Sequence, residues 1–202
     1  MLILLSPAKS LDFSALADTQ TPTEPALLDR GAELVRILRD YTPQALATLM
    51  DISATLAELN AKRYASWSTP FTPHNAKPAV LAFNGDVYEG LQATTLTKQE
   101  FVWVQTHVRI LSGLYGVLKP LDLIQPYRLE MGTRLPTQRG HTLYAFWGDV
   151  ITDLLNQHLA QLASRTVINL ASEEYFKAVQ VARLNASIIT PVFQDYKAGR
   201  YK

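Results

Sequence analysis

The 202-residue chain contains no cysteine, which excludes disulfides, thiolate metal sites, cysteine nucleophiles and thiolate-ligated iron–sulfur clusters within these residues. It has no apolar run near the roughly 18 residues that a membrane span needs. Met1–Leu5 is apolar but short, lacks a basic flank and is interrupted by Pro7 and Lys9, unlike a secretory signal. A cytoplasmic location without a membrane partner is expected. Charge of one sign is not in excess: 19 Lys+Arg against 18 Asp+Glu give +1, so there is neither a basic coat nor an acidic tail. Phosphate-loop and dinucleotide glycine patterns are missing, and Ser112-Gly113 lacks the preceding glycine of a hydrolase elbow. His74, His107, His141 and His158 fall in no metal spacing, so no metal and no cofactor is expected.

What the chain does have is core material. Hydrophobic residues make up 48% and charged residues 18%, which suits a packed domain and not a disordered chain. Short runs rich in Val, Ile and Leu predict buried strands at Leu2–Leu5, Ala79–Phe83, Arg109–Leu111, Thr166–Leu170 and Ala186–Pro191. Helical periodicity predicts helices at Pro25–Tyr41, Thr42–Leu49, Ser53–Arg63, Thr97–Val108, Phe146–Ala163 and Ser172–Ala182. Thr97 and Glu100 have capping-box spacing. The alternation predicts an α/β fold with a mostly parallel or mixed sheet flanked by helices. Residues 1–202 read as one α/β domain, with 25–65 as a small helical subdomain bounded by Thr19–Pro25 and Ser66–Pro78.

Ligands of open α/β sheets bind beyond the carboxyl ends of the strands. The residues following the expected strands supply Ser6 and Lys9, Asn84, Asp86 and Tyr88, Ser112, Tyr115 and Lys119, and Asn169, Ser172 and Tyr175. Together they predict either a shared polar pocket or ordinary turn chemistry, since Gly, Asn, Asp and Ser are what turns use. Lys9 and Lys119 would hold a phosphate or carboxylate, and Asp86 would act as an acid/base or cation-stabilising carboxylate. Asn84 and Asn169 would fix a base edge or sugar hydroxyl, and the tyrosines would either stack on a ring or pack in the core with the hydroxyl at the rim. Arg128 and Glu130, two apart in an extended stretch, share a face. They form either a structural ion pair or an anion clamp. Charge is uneven: residues 1–100 carry −3 and residues 101–202 carry +4. An anion-binding face in the second half is one reading, and chance on a neutral surface is the other.

Residues 42–63 read as two helices around Met50-Asp51-Ile52-Ser53, either an ordinary helical hairpin or a helix-hairpin-helix. In the second case the hairpin amides would meet a DNA phosphate, with Lys62 and Arg63 at the far end of the second helix. Asp51 opposes this, and the usual hairpin glycines are missing.

Six stretches resemble the YaaA family of bacterial peroxide-stress proteins. They are Ser6–Lys9 (SPAK), Phe83–Tyr88 (FNGDVY), Ile110–Pro126 (ILSGLYGVLKPLDLIQP), Tyr127–Leu135 (YRLEMGTRL), Leu143–Trp147 (LYAFW) and Asn169–Lys177 (NLASEEYFK). The resemblance implies a family-specific α/β fold, a cytoplasmic role against hydrogen peroxide through limiting unincorporated iron, and binding of double-stranded or distorted DNA. It places the family's helix-hairpin-helix on residues 42–63. It leaves open an enzyme that processes a nucleobase, nucleotide or damaged DNA in the polar pocket. It also implies a Lys- and Arg-rich continuation after the pattern at Tyr196–Lys202.

Overall fold

The computed structural model describes residues 1–14 and 21–194, and the backbone of Tyr196–Lys197 and Arg200–Tyr201. The start of the expected Thr19–Pro25 loop and part of the Tyr196–Lys202 pattern lie outside the described residues.

The chain opens with β1 (Leu2–Leu5) and the short β2 (Ser10–Leu11). Three helices follow: α1 (Leu28–Arg39), α2 (Pro43–Met50) and α3 (Ala54–Ser66). Thr42 and Ser53 cap α2 and α3, their hydroxyls accepting the Ala45 and Leu56 amides at 3.2 and 3.3 Å. Arg39 ties α1 to the end of α3 by donating from Nε to the Tyr64 carbonyl at 2.8 Å and from Nη2 to that of Trp67.

Next come β3 (Lys77–Pro78), α4 (Ala79–Ala82), β4 (Phe83–Asn84) and α5 (Asp86–Leu91). The strand expected at Ala79–Phe83 is therefore mostly a helical turn. Its first two amides bond outward, to the carbonyls of Asp122 and Pro120 at 2.9 and 3.0 Å. A short apolar run cannot distinguish a buried turn from a buried strand by periodicity.

The second half holds α6 (Lys98–His107), β5 (Val108–Ser112), β6 (Gly116–Leu118), β7 (Leu123–Ile124), α7 (Leu143–Trp147) and α8 (Val150–Ala160). It continues with β8 (Thr166–Asn169), α9 (Glu173–Phe176), β9 (Ser187–Ile189) and the hairpin β10 (Tyr196–Lys197) and β11 (Arg200–Tyr201). The Thr97/Glu100 capping box is formed. The helix expected over Phe146–Ala163 is divided at Gly148, whose φ of 49° ends α7. The helix expected over Ser172–Ala182 keeps a single turn, α9.

The fold is α/β. Its central mixed sheet runs β6-β5-β1-β8-β9, parallel except for β6. β1 and β5 are covered on both faces, with Leu2, Leu4, Ile110 and Leu111 wholly buried, which is why they read as unbroken apolar runs. No described helix is long and apolar enough to cross a membrane.

Buried polar groups gather at the amino ends of the parallel strands. Arg109 donates from Nε to His158 Nδ1 at 2.8 Å, which requires a neutral imidazole. Burial, then the charges of Arg109 and Lys119, hold the His158 pKa down to about 4. Asp122 accepts from Thr23 Oγ1 at 2.5 Å and from the Lys119 amide at 2.8 Å. Its burial outweighs these bonds and raises its pKa to about 6. The two groups act in opposite senses. The depressed His158 contributes stability that is present above its ordinary 6.5 and lost as pH falls toward 4. The raised Asp122 contributes stability that is present below its ordinary 3.8 and lost as pH rises through 6. Each slope is at most about 1.4 kcal/mol per pH unit, and over this window they offset. Asp122→Asn removes the counterweight, so its urea midpoint should fall from pH 6.5 to pH 4 more steeply than the wild type's. Parallel profiles would contradict this pairing.

Candidate functional site

β1 and β8 are neighbours, but the chain leaves them in opposite directions, from β1 toward β5 and from β8 toward β9. Such a divergence opens a crevice at the carboxyl ends of the strands. A cavity of about 210 Å³ lies there. Ser6–Lys9 after β1, Ser172, Glu174 and Tyr175 after β8, and the extended segment Tyr127–Glu130 line it.

The Tyr127–Glu130 strap is pinned at several points. Ser112 Oγ and the Tyr127 hydroxyl are 2.7 Å apart. The Tyr64 hydroxyl, from the last turns of α3, donates to the Arg128 carbonyl. A Cβ on Gly113 would lie 2.2 Å from the Leu129 carbonyl oxygen, so the strap passes directly over that glycine. Just beyond the strap, the Gly132 amide donates to Glu174 Oε1 at 2.7 Å. On the opposite wall the Ser172 amide donates to Ser6 Oγ at 2.9 Å, and the buried Tyr88 supports the Ser6 carbonyl at 2.8 Å.

Two cations enter the cavity beside one carboxylate. Glu130 Oε1 is 2.5 Å from Arg128 Nη2, 3.0 Å from its Nε and 3.6 Å from Lys9 Nζ. Burial, then the Glu174 and Glu130 carboxylates, push the Tyr175 phenol above its ordinary 10. Burial also raises Tyr127. Both rings are therefore neutral near pH 7, suited to stacking and hydrogen bonding and unsuited to act as bases.

Of the residues expected to form the pocket, Ser6, Lys9, Arg128, Glu130, Ser172 and Tyr175 converge. Lys119 does not. β6 runs antiparallel to β5 with Leu118 opposite Ile110, so the chain returns Lys119 to the other end of the sheet. Ser112 and Tyr115 are fully buried behind the strap. Tyr115 packs edge-on to Tyr127 with ring centroids 5.3 Å apart, and its hydroxyl accepts from Trp67 Nε1 at 3.1 Å. Asn169 is buried and shapes its own turn, its Oδ1 accepting the Ala171 amide at 3.0 Å. Asn84 and Asp86 are exposed, and neither lines the cavity. The carboxylates that do line it are Glu130 and Glu174. Sequence reasoning missed Tyr127 and Glu174 as lining residues. No local signal points to Glu174, since its partner amide is 42 residues away.

The hairpin between α2 and α3 turns on Asp51, which holds a left-handed φ of 50°. Asp51 and Ser53 are exposed, Met50 and Ile52 half-buried. At the far end of α3 Lys62 is exposed, while Arg63 is half-buried with Nη1 3.4 Å from Asn60 Oδ1. Lys62 and Arg63 immediately precede Tyr64, the residue that holds the cavity wall. Among the described residues no group of three His, Asp or Glu side chains could hold a metal ion.

A family model described as peroxide stress protein YaaA matches residues 1–202. A UPF0246 protein of Burkholderia lata is 60% identical over 204 residues, covering 100% of this chain and 78% of the relative. UPF0246 proteins of a Janthinobacterium species and of Cupriavidus metallidurans are 57% and 58% identical, with the same coverage. A family match over the whole chain and relatives 57–60% identical across it leave one assignment: the chain belongs to the YaaA family of peroxide stress proteins.

Proposed function

We propose that this peroxide-stress protein binds double-stranded or distorted DNA and limits iron-dependent oxidative damage there. The observation that carries the reading is the placement of Lys9 and Arg128 in a concave cavity whose wall is bonded to α3 through Tyr64. Two cations and two hydroxyls in a crevice suit a phosphate, and Tyr175 lines the same cavity. Pockets that enclose a whole drug-sized ligand measure about 300–1,000 Å³. At about 210 Å³ this cavity takes only part of a ligand, such as one nucleotide's phosphate and sugar. The rest of the strand would extend outside it.

The helix-hairpin-helix reading of residues 42–63 belongs to the same proposal. From Tyr64 to the Asp51–Ser53 turn α3 rises by about 17 Å. That corresponds to about 5 base steps of duplex, so one DNA segment can reach from the cavity to the hairpin. Lys62 and Arg63 lie at the cavity end of that path.

Fluorescence anisotropy with plain and bulged duplexes at two salt concentrations tests the reading. Affinity should fall steeply with salt, because bound phosphates release counterions. A salt-independent affinity would overturn it. Asp51→Gly tests the hairpin separately. It should raise stability by about 1 kcal/mol by relieving the left-handed backbone, and should tighten duplex binding by removing a carboxylate. Higher stability with unchanged affinity would place the DNA away from the hairpin.

A further inference from the structure

Glu130 sits where a bound phosphate would sit. Its Oε1 lies within 3.6 Å of Lys9 Nζ and 3.0 Å or less of two Arg128 nitrogens, inside the cavity that those cations line. We propose that Glu130 is an internal stand-in for the ligand: its carboxylate occupies the anion position of the free protein, and a phosphate must displace it to bind. The inference rests on the reading of the cavity as a phosphate site.

How each carboxylate is held distinguishes a displaceable group from a fixed one. Glu174, on the same cavity, accepts a backbone amide from Gly132 at 2.7 Å and thereby fastens the end of the strap. Among the described residues Glu130 meets only the two side-chain cations, and Lys9 is 71% exposed. Nothing in the backbone holds the Glu130 carboxylate in place, and its side chain is 28% exposed, so rotation outward is open to it. Without Glu130, two cations would face each other across the crevice. With it, the resting site is nearly neutral and unattractive to stray anions. A ligand must therefore offer more than charge. A phosphate does so, because its oxygens can accept from Arg128, Lys9 and the Ser172 hydroxyl together, with Ser6 Oγ donating to Ser172 Oγ at 3.3 Å behind it, whereas the Glu130 carboxylate meets only the first two. The device makes Glu130 a specificity residue for phosphate over weaker anions.

The test compares wild type with Glu130→Gln and Glu130→Ala in titrations of inorganic phosphate, adenosine monophosphate and a short single-stranded oligonucleotide. Both variants should bind phosphate and the preferred phosphate-bearing probe about tenfold more tightly, because a competing like charge has been removed. They should also bind chloride or acetate more readily than wild type does. The probe most tightened distinguishes a free nucleotide from a strand phosphate. Thermal melting with and without phosphate provides a second readout, and the phosphate-induced rise should be larger in the variants. If wild type binds and the variants bind equally or more weakly, Glu130 merely positions Arg128 and this inference falls, while the phosphate site stands. If neither wild type nor variants bind any probe, the phosphate reading of the cavity falls with it.

Discussion

Gly113→Ala should lower the melting temperature by roughly 6–12 °C and remove the proposed DNA binding with it. The added methyl would stand 2.2 Å from the Leu129 carbonyl oxygen and 3.0 Å from the carbon that bears it. Both are backbone atoms, so no side chain can rotate away. The strap must shift outward, and overpacking of this kind costs about 3 kcal/mol. For a domain of this size each kcal/mol corresponds to about 2–4 °C. The shift falls on Leu129 and Glu130, between the tether of Arg128 to Tyr64 and that of Gly132 to Glu174. The cavity wall would therefore lose its geometry as well as its stability. Gly90→Ala is the matched control. Gly90 lies in α5, with no atom within 4 Å of a Cβ placed there, and the change should be neutral or stabilising by up to about 1 kcal/mol. Equal melting of the two variants would mean that the strap does not pass over Gly113.

Lys9→Ala combined with Arg128→Ala should weaken duplex binding by about 100-fold at low salt, against little change for Lys119→Ala. Each DNA phosphate that is no longer neutralised should reduce the slope of log affinity on log salt by about 0.9. A drop of about 0.9 is expected for the double variant, because both cations meet one phosphate position. Lys119 carries the same charge but leaves β6 at the opposite end of the sheet. It therefore separates a local effect from one of net charge. A comparable loss from Lys119→Ala would make binding a matter of overall charge and leave the cavity without a role.

The contrast between Lys9 and Lys119 also marks what was readable in the sequence. Lys9 follows β1, whose apolar run identified both the strand and the end at which its loop emerges. Lys119 follows a three-residue strand, Gly116–Leu118, that reads as turn because it begins with glycine. Missing one short antiparallel strand moved a residue from one end of the sheet to the other. Local signals elsewhere were reliable where the cause is local. The Thr97/Glu100 box depends on residues three apart, and it forms. The division of the helix expected at Phe146–Ala163 was signalled by Gly148 but outweighed by the apolar stripe around it. The strap was the least legible part. Arg128 and Glu130 were recognisable as a pair, but the groups that hold the strap, Tyr64, the adjacent Ser112 and Gly113, and Glu174, come from three separate parts of the chain. Bonds such as Gly132 to Glu174 and Tyr64 to Arg128 span 42 and 64 residues, and no periodicity encodes them.

The central claim is that DNA engages the carboxyl-end cavity and the adjoining face of α3. The most direct measurement is a titration of isotope-labelled protein with bulged duplex, followed by amide chemical shifts. The account predicts shifts concentrated at Ser6–Lys9, Arg128–Glu130, Ser172–Tyr175 and the Lys62–Arg63 end of α3, with Thr23, Gln105 and Lys119 unmoved. Shifts confined to the Thr23, Gln105 and Lys119 end of the sheet, with the cavity silent, would contradict it.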